Sequence, residues 1–65
     1  MKWSAWEAYR EGKLRLPPGY HLELEADLLE LRRPDGSLVA AFSARGAAPA
    51  EVTRTAEEDY RAGST

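Results

Sequence analysis

Residues 20–42 read YHLELEADLLELRRPDGSLVAAF, and the alternation within this stretch decides the fold. Tyr20, Leu22 and Leu24 alternate with His21, Glu23 and Glu25, and Leu29 and Leu31 alternate with Glu30 and Arg32. A period of two sends one set of side chains to a buried face and the other to water, which is the signature of a strand. Arg33-Pro34-Asp35-Gly36-Ser37 separates the second run from the third. Proline presets φ for the second position of a type I turn, and glycine takes the left-handed position that follows. A three-residue hairpin loop with a bulge is expected there. The whole stretch therefore predicts an antiparallel β-meander.

Turn geometry fixes register, and register fixes which side chains share a face. With Arg33 opposite Ser37, Leu31 faces Val39 and Leu29 faces Ala41. A two-residue loop at Ala26-Asp27 pairs Leu24 with Leu29 and Leu22 with Leu31, although alanine and aspartate make a poor turn pair. The expected core face is Leu22, Leu24, Leu29, Leu31, Val39 and Ala41. The other face divides in two. His21, Glu23, Glu25, Glu30 and Arg32 are content in water, whereas Leu28, Leu38, Ala40 and Phe42 are not.

Working outward, Ser4-Ala5-Trp6-Glu7 matches a capping box, in which serine and glutamate each satisfy a free helix-end N–H. Gly12 supplies the stop, so a short helix is expected over 5–11 within an N-terminal segment 1–12. Its aromatics, Trp6 and Tyr9 with Trp3 just before the cap, read as the missing part of a small core. A base-stacking platform is the competing reading. Lys13-Leu14-Arg15-Leu16 alternates and offers a fourth strand at the start of a sheet region spanning 13–43. Pro17-Pro18-Gly19 then turns the chain, with Pro18 and Gly19 at the centre of a type II turn. After a small-residue connector, Pro49 suits the first position of a helix over 49–62, with Val52, Ala56 and Tyr60 recurring every four residues. Residues 63–65 form a tail. The expectation is one small α+β domain, a three- to four-stranded antiparallel meander flanked by two helices.

Composition narrows the function classes. The chain has 65 residues, a formal charge of −2 and no cysteine, so disulfides and thiolate metal sites are excluded. A chain of this size hides only about 60% of its extended surface, which favours a partner. No apolar run is long enough to span a bilayer, and Met-Lys-Trp-Ser passes at once into aromatic and charged positions. A cytoplasmic protein is the expectation. Arginine outnumbers lysine seven to two while Asn, Gln and Ile are missing, a bias that suits a GC-rich bacterial genome.

Chemistry finds little support. His21, Glu23, Glu25 and Glu30 share a strand face and could hold a divalent ion, but alternating charge on an open sheet is ordinarily a wet face. Arg32 is also near enough to neutralise one carboxylate. The serines stand at capping, turn and tail positions, with no G-x-S-x-G and no phosphate-cradling loop. Ser43-Ala44-Arg45-Gly46 offers at most a small anion-binding turn. No catalytic residue, metal or cofactor is expected. The leading expectation is a non-enzymatic interaction or regulatory module acting through Leu28, Leu38, Ala40 and Phe42, with Trp3, Trp6 and Tyr9 as further contact residues and a homodimer or another protein as partner. An uncharged third strand at a sheet edge invites such pairing. The runner-up is a single-stranded nucleic-acid binder built on the N-terminal aromatics with Lys2, Arg10, Lys13 and Arg15. An overall acidic balance makes nucleic acid the lesser reading.

The hairpin reading is directly testable. Gly36→Val should cost about 1 kcal/mol or more, because a β-branched residue resists positive φ. Urea denaturation would measure it, and an unchanged midpoint would show that the loop is built differently.

Overall fold

Leu29 and Leu31 are fully buried, and both lie on the central strand of the sheet. The computed structural model describes residues 3–63. In chain order they form α1 (Ala5–Arg10), β1 (His21–Glu25), β2 (Leu28–Arg32), β3 (Leu38–Ser43) and α2 (Pro49–Gly63). The strands make one antiparallel sheet in the order β1-β2-β3. The domain is thus α+β, a meander with a short helix before it and a longer one after.

The first hairpin matches the sequence reading residue for residue, with Leu22 opposite Leu31, Glu23 opposite Glu30 and Leu24 opposite Leu29. Its loop is the two residues Ala26 and Asp27, and Ala26 accepts a left-handed φ of 54° to close it. In the second hairpin the Arg33 N–H donates to the Ser37 carbonyl at 2.9 Å, and Gly36 carries φ of 89°, as the turn chemistry requires.

Beyond this loop the register departs from expectation. Arg32 pairs with Leu38, but Leu31 pairs with Ala40 and Leu29 with Phe42, leaving Val39 as an extra residue. A one-residue bulge exchanges the faces of everything after it. Ala40 and Phe42 therefore lie on the core side, and Ala41 is exposed on the other. Val39 still packs against the core, as does Phe42. The expected membership of the two faces is corrected accordingly on β3.

Both helices cover the Leu22–Leu29–Leu31 face. Ala5, Ala8, Val52 and Ala56 are buried, and the first, third and fourth of these join the three leucines in one cluster with Ala47. Small residues let the helices lie close to the sheet. Ser4 and Glu7 form the capping box, with the Ser4 N–H donating to Glu7 Oε1 at 3.0 Å and the Glu7 N–H to Ser4 Oγ at 3.3 Å. The other end of α1 is a Schellman motif: the Gly12 N–H donates to Tyr9 and the Lys13 N–H to Ala8. The Ala5 N–H, free in an isolated helix, donates to the Ala47 carbonyl at 2.9 Å and ties α1 to the connector before α2.

Three further expectations are corrected. Gly63, assigned to a tail over 63–65, is the last residue of α2, and residues 64–65 lie outside those described. Residues 13–16 do not join the sheet; they run beside α2, where Thr53 Oγ1 donates to the Arg15 carbonyl at 3.0 Å and Leu14 and Leu16 pack against the core. Leu24, assigned to the core by alternation, is 44% exposed near the end of the edge strand β1.

The Pro17–Tyr20 turn does more than reverse the chain. Tyr20 donates back to the Pro17 carbonyl, and Gly19 has φ of 84°. A Cβ on Gly19 would fall 2.6 Å from Pro34 Cγ, so this turn is seated against the second hairpin. Gly19→Ala thus combines backbone strain with a clash and should cost about 1–3 kcal/mol. A melting temperature equal to wild type would show that the two turns are not in contact.

Candidate functional site: the uncovered face of the sheet

With both helices on one side, no element among the described residues covers the opposite face of the sheet. Its three rows follow from the register: His21, Arg32 and Leu38; Glu23, Glu30 and Ala41; Glu25, Leu28 and Ser43. Leu28 and Leu38 are each 48% exposed. The face therefore carries an acidic column on β1 and one exposed apolar side chain in each row, Leu38, Ala41 and Leu28, with Glu30 and Arg32 on the central strand beside them.

Within the polar half, Arg32 is the organising group. Its Nη2 lies 2.7 Å from Glu30 Oε1 and its Nε 3.8 Å from Glu23 Oε1, while His21 Nε2 is 3.0 Å from Glu23 Oε2. The hydrogen bond from Arg32 to Glu30 holds the guanidinium above its ordinary pKa, partly opposed by its desolvation. The Arg32 Nε itself is buried with no hydrogen-bond partner. Glu30 is mostly covered, but Glu23 remains about half exposed and Glu25 is open. One cation thus leaves a net excess of carboxylate, and among the described residues no group of three His, Asp or Glu is placed to hold a metal ion.

Of the residues singled out in the sequence, Leu28 and Leu38 lie on this face, whereas Ala40 and Phe42 do not. The N-terminal aromatics lie elsewhere. Trp6 and Tyr9 stack on one another, with centroids 5.9 Å apart, and both pack against the core. Trp3 is 37% exposed, with the Lys13 ammonium 5.1 Å from its ring centroid. The three rings form no common platform. An open groove of about 680 Å³ lies beside Trp3, between the start of α1 and residues 45–50. No polar side chain is buried among the described residues, so the groove holds no desolvated acid, base or nucleophile.

Sequence reasoning missed the main polar tie of the fold. Asp59 on α2 accepts from Arg33 through both carboxylate oxygens, at 2.8 and 2.9 Å, and also from the Tyr20 hydroxyl. Arg33 additionally donates to Ser37 Oγ at 3.1 Å, and the Tyr20 ring meets Tyr60 edge to face at 6.2 Å. These residues are 26 and 39 positions from Asp59, and no local pattern could pair them. The hydrogen bonds from Arg33 and then Tyr20 hold the Asp59 carboxyl below its usual range. The same bond pushes the Tyr20 hydroxyl up. Asp35 is lowered by its bonds from Ser37, and Glu7 by those from Ser4.

No protein-family model, curated protein or solved structure matches this chain.

The carboxylates give a pH profile with a definite sign. Asp59, Asp35 and Glu7 are depressed in the folded state, so their stabilisation is present above the ordinary carboxylate value near about pH 4. It is lost as pH falls through the lowered folded values. Tyr20 is raised, so its contribution holds below about pH 10 and is lost above. Asp59→Asn should narrow the gap between urea midpoints measured at neutral pH and at pH 3. An undiminished gap would remove Asp59 from the acid response.

Proposed function

We propose that this chain is a small, non-enzymatic protein-interaction or regulatory module of the cytoplasm, and that the bare sheet face is its working surface. The observation that carries this reading is the half-exposure of Leu28 and Leu38 on a face that neither helix covers. A domain of this size has few large side chains to spare. Among the described residues only Leu29, Leu31 and Val52 are both large and fully buried, yet Leu28 and Leu38 stand half in water at opposite ends of one face. Ala41 lies in the row between them, so each of the three rows of this face carries one exposed apolar side chain, and apolar surface on an uncovered face marks contact sites.

Support for the alternative, a single-stranded nucleic-acid binder, is weaker. Such a binder stacks bases on free aromatic rings, and here Trp6 and Tyr9 are turned to the core. An enzyme would need converging groups in an enclosed site, whereas here His21, Glu23, Glu30 and Arg32 pair with one another on an open sheet face.

Surface leucines kept for binding contribute little to folding. The double variant Leu28→Thr/Leu38→Thr keeps strand propensity and should unfold within about 1 kcal/mol of wild type in urea. A loss of several kcal/mol would mean that the two leucines are structural, and would overturn this reading of the face.

A further inference from the structure

We infer that the occupant of the bare face is a basic amphipathic helix of a partner protein, an inference that rests on the interaction reading above. Three observations select this chemistry. The first is charge. Glu23 and Glu25 stand exposed along β1, with Leu28 beside Glu25 and Ala41 and Leu38 on the far strand, and the arginine of the face, Arg32, is already engaged by Glu30 and Glu23. Apolar positions bordered by Glu25, which holds no ion pair among the described residues, and by the half-exposed Glu23 fit a helix with leucines on one side and Lys or Arg on its flank.

The second is shape and layering. Three strands about 4.8 Å apart make a floor about 10 Å wide between the outer two, which is the diameter of one α-helix. The two helices of the chain lie together on the other side. A helix on the bare side would complete a three-layer arrangement, a stable way to bury both faces of a sheet.

The third is that a second copy fits poorly. Stacking this face on its twin brings two net-acidic surfaces together, with each Arg32 already engaged by its own Glu30 and Glu23. Strand pairing through the β3 edge meets other obstacles. The bulge at Val39 interrupts the strand. The Leu38 carbonyl is approached by Arg33 Nη1 at 3.4 Å, and the Ser43 carbonyl accepts from Gly46 and Ala47. Bulges and occupied carbonyls are what keep edge strands from pairing.

The test uses the full chain and two labelled synthetic helical peptides that share one leucine stripe, the first flanked by lysine and the second by glutamate. Fluorescence anisotropy reads affinity, and amide chemical shifts locate the contact. The lysine peptide should bind, move the amides of Glu23, Glu25, Leu28, Leu38 and Ala41, and weaken as salt is raised. Binding should fall about tenfold in Glu23→Gln/Glu25→Gln, as two surface ion pairs warrant, and be lost in Leu28→Thr/Leu38→Thr. Equal binding of the glutamate peptide, or full binding by the Glu-to-Gln variant, would overturn the basic partner while leaving the surface in use. Failure of both peptides together with a concentration-dependent doubling of mass would assign the face to a second copy instead. Failure of both with a monomer at every concentration would overturn the inference and leave the face without this occupant.

Discussion

Everything in this fold is packed against two side chains, Leu29 and Leu31. They are consecutive inward positions of the central strand, and both are shut off from water entirely. Fully burying a leucine contributes about 1.5–3 kcal/mol, a large share of what a domain of this length retains after its conformational entropy is met. The remaining core is mostly alanine, so it depends on close approach more than on bulk. Ala5 and Ala56 bring the helices down onto the leucines, and the Ala5 N–H bonded to the Ala47 carbonyl fixes one helix against the start of the other. The Asp59 carboxylate then joins α2 to the second hairpin through Arg33 and to the entry of β1 through Tyr20. A small apolar centre is thus surrounded by directional bonds that hold its few elements in one arrangement.

Local signals in the sequence translate well. Pro34-Asp35-Gly36, Ser4 with Glu7, Gly12 and Pro49 each act within a few residues, and each does in the structure what its chemistry demands. The first hairpin is readable because its loop inserts nothing irregular between two alternating runs. The second is not, because a bulge leaves no mark on hydrophobic alternation when the strand is apolar at every position from Leu38 to Phe42. Alternation cannot choose a face where both parities are apolar. Leu14 and Leu16 fail as a strand for a related reason: two alternating leucines can serve any extended segment, and here α2 receives them. Long-range ties such as Asp59 with Arg33 have no local signature at all.

The candidate surface was legible to a similar depth. Its polar half follows from β1 and β2, whose pairing was readable, and Arg32 neutralises Glu30 and reaches Glu23 much as spacing suggests. Its apolar half lies partly on β3, and there Ala40 and Phe42 give way to Ala41. What survives the exchange is the division itself, since Leu28 precedes the bulge on β2 and Leu38 precedes it on β3.

That single bulge links the two faces physically. Were Val39 not extra, Ala41 would face the helices and Phe42 would stand in water with Leu28 and Leu38. The core would exchange an aromatic ring for a methyl group, and the outer face would gain a large apolar side chain on an uninterrupted edge strand. Such an edge is a hazard for indiscriminate pairing. With the bulge, the ring packs inward and the strand is interrupted near its start. On the outer face of the sheet the apolar side chains are then Leu28, Leu38 and Ala41. One residue of backbone irregularity therefore strengthens a core that is short of bulk, and keeps a large apolar ring off the outer face.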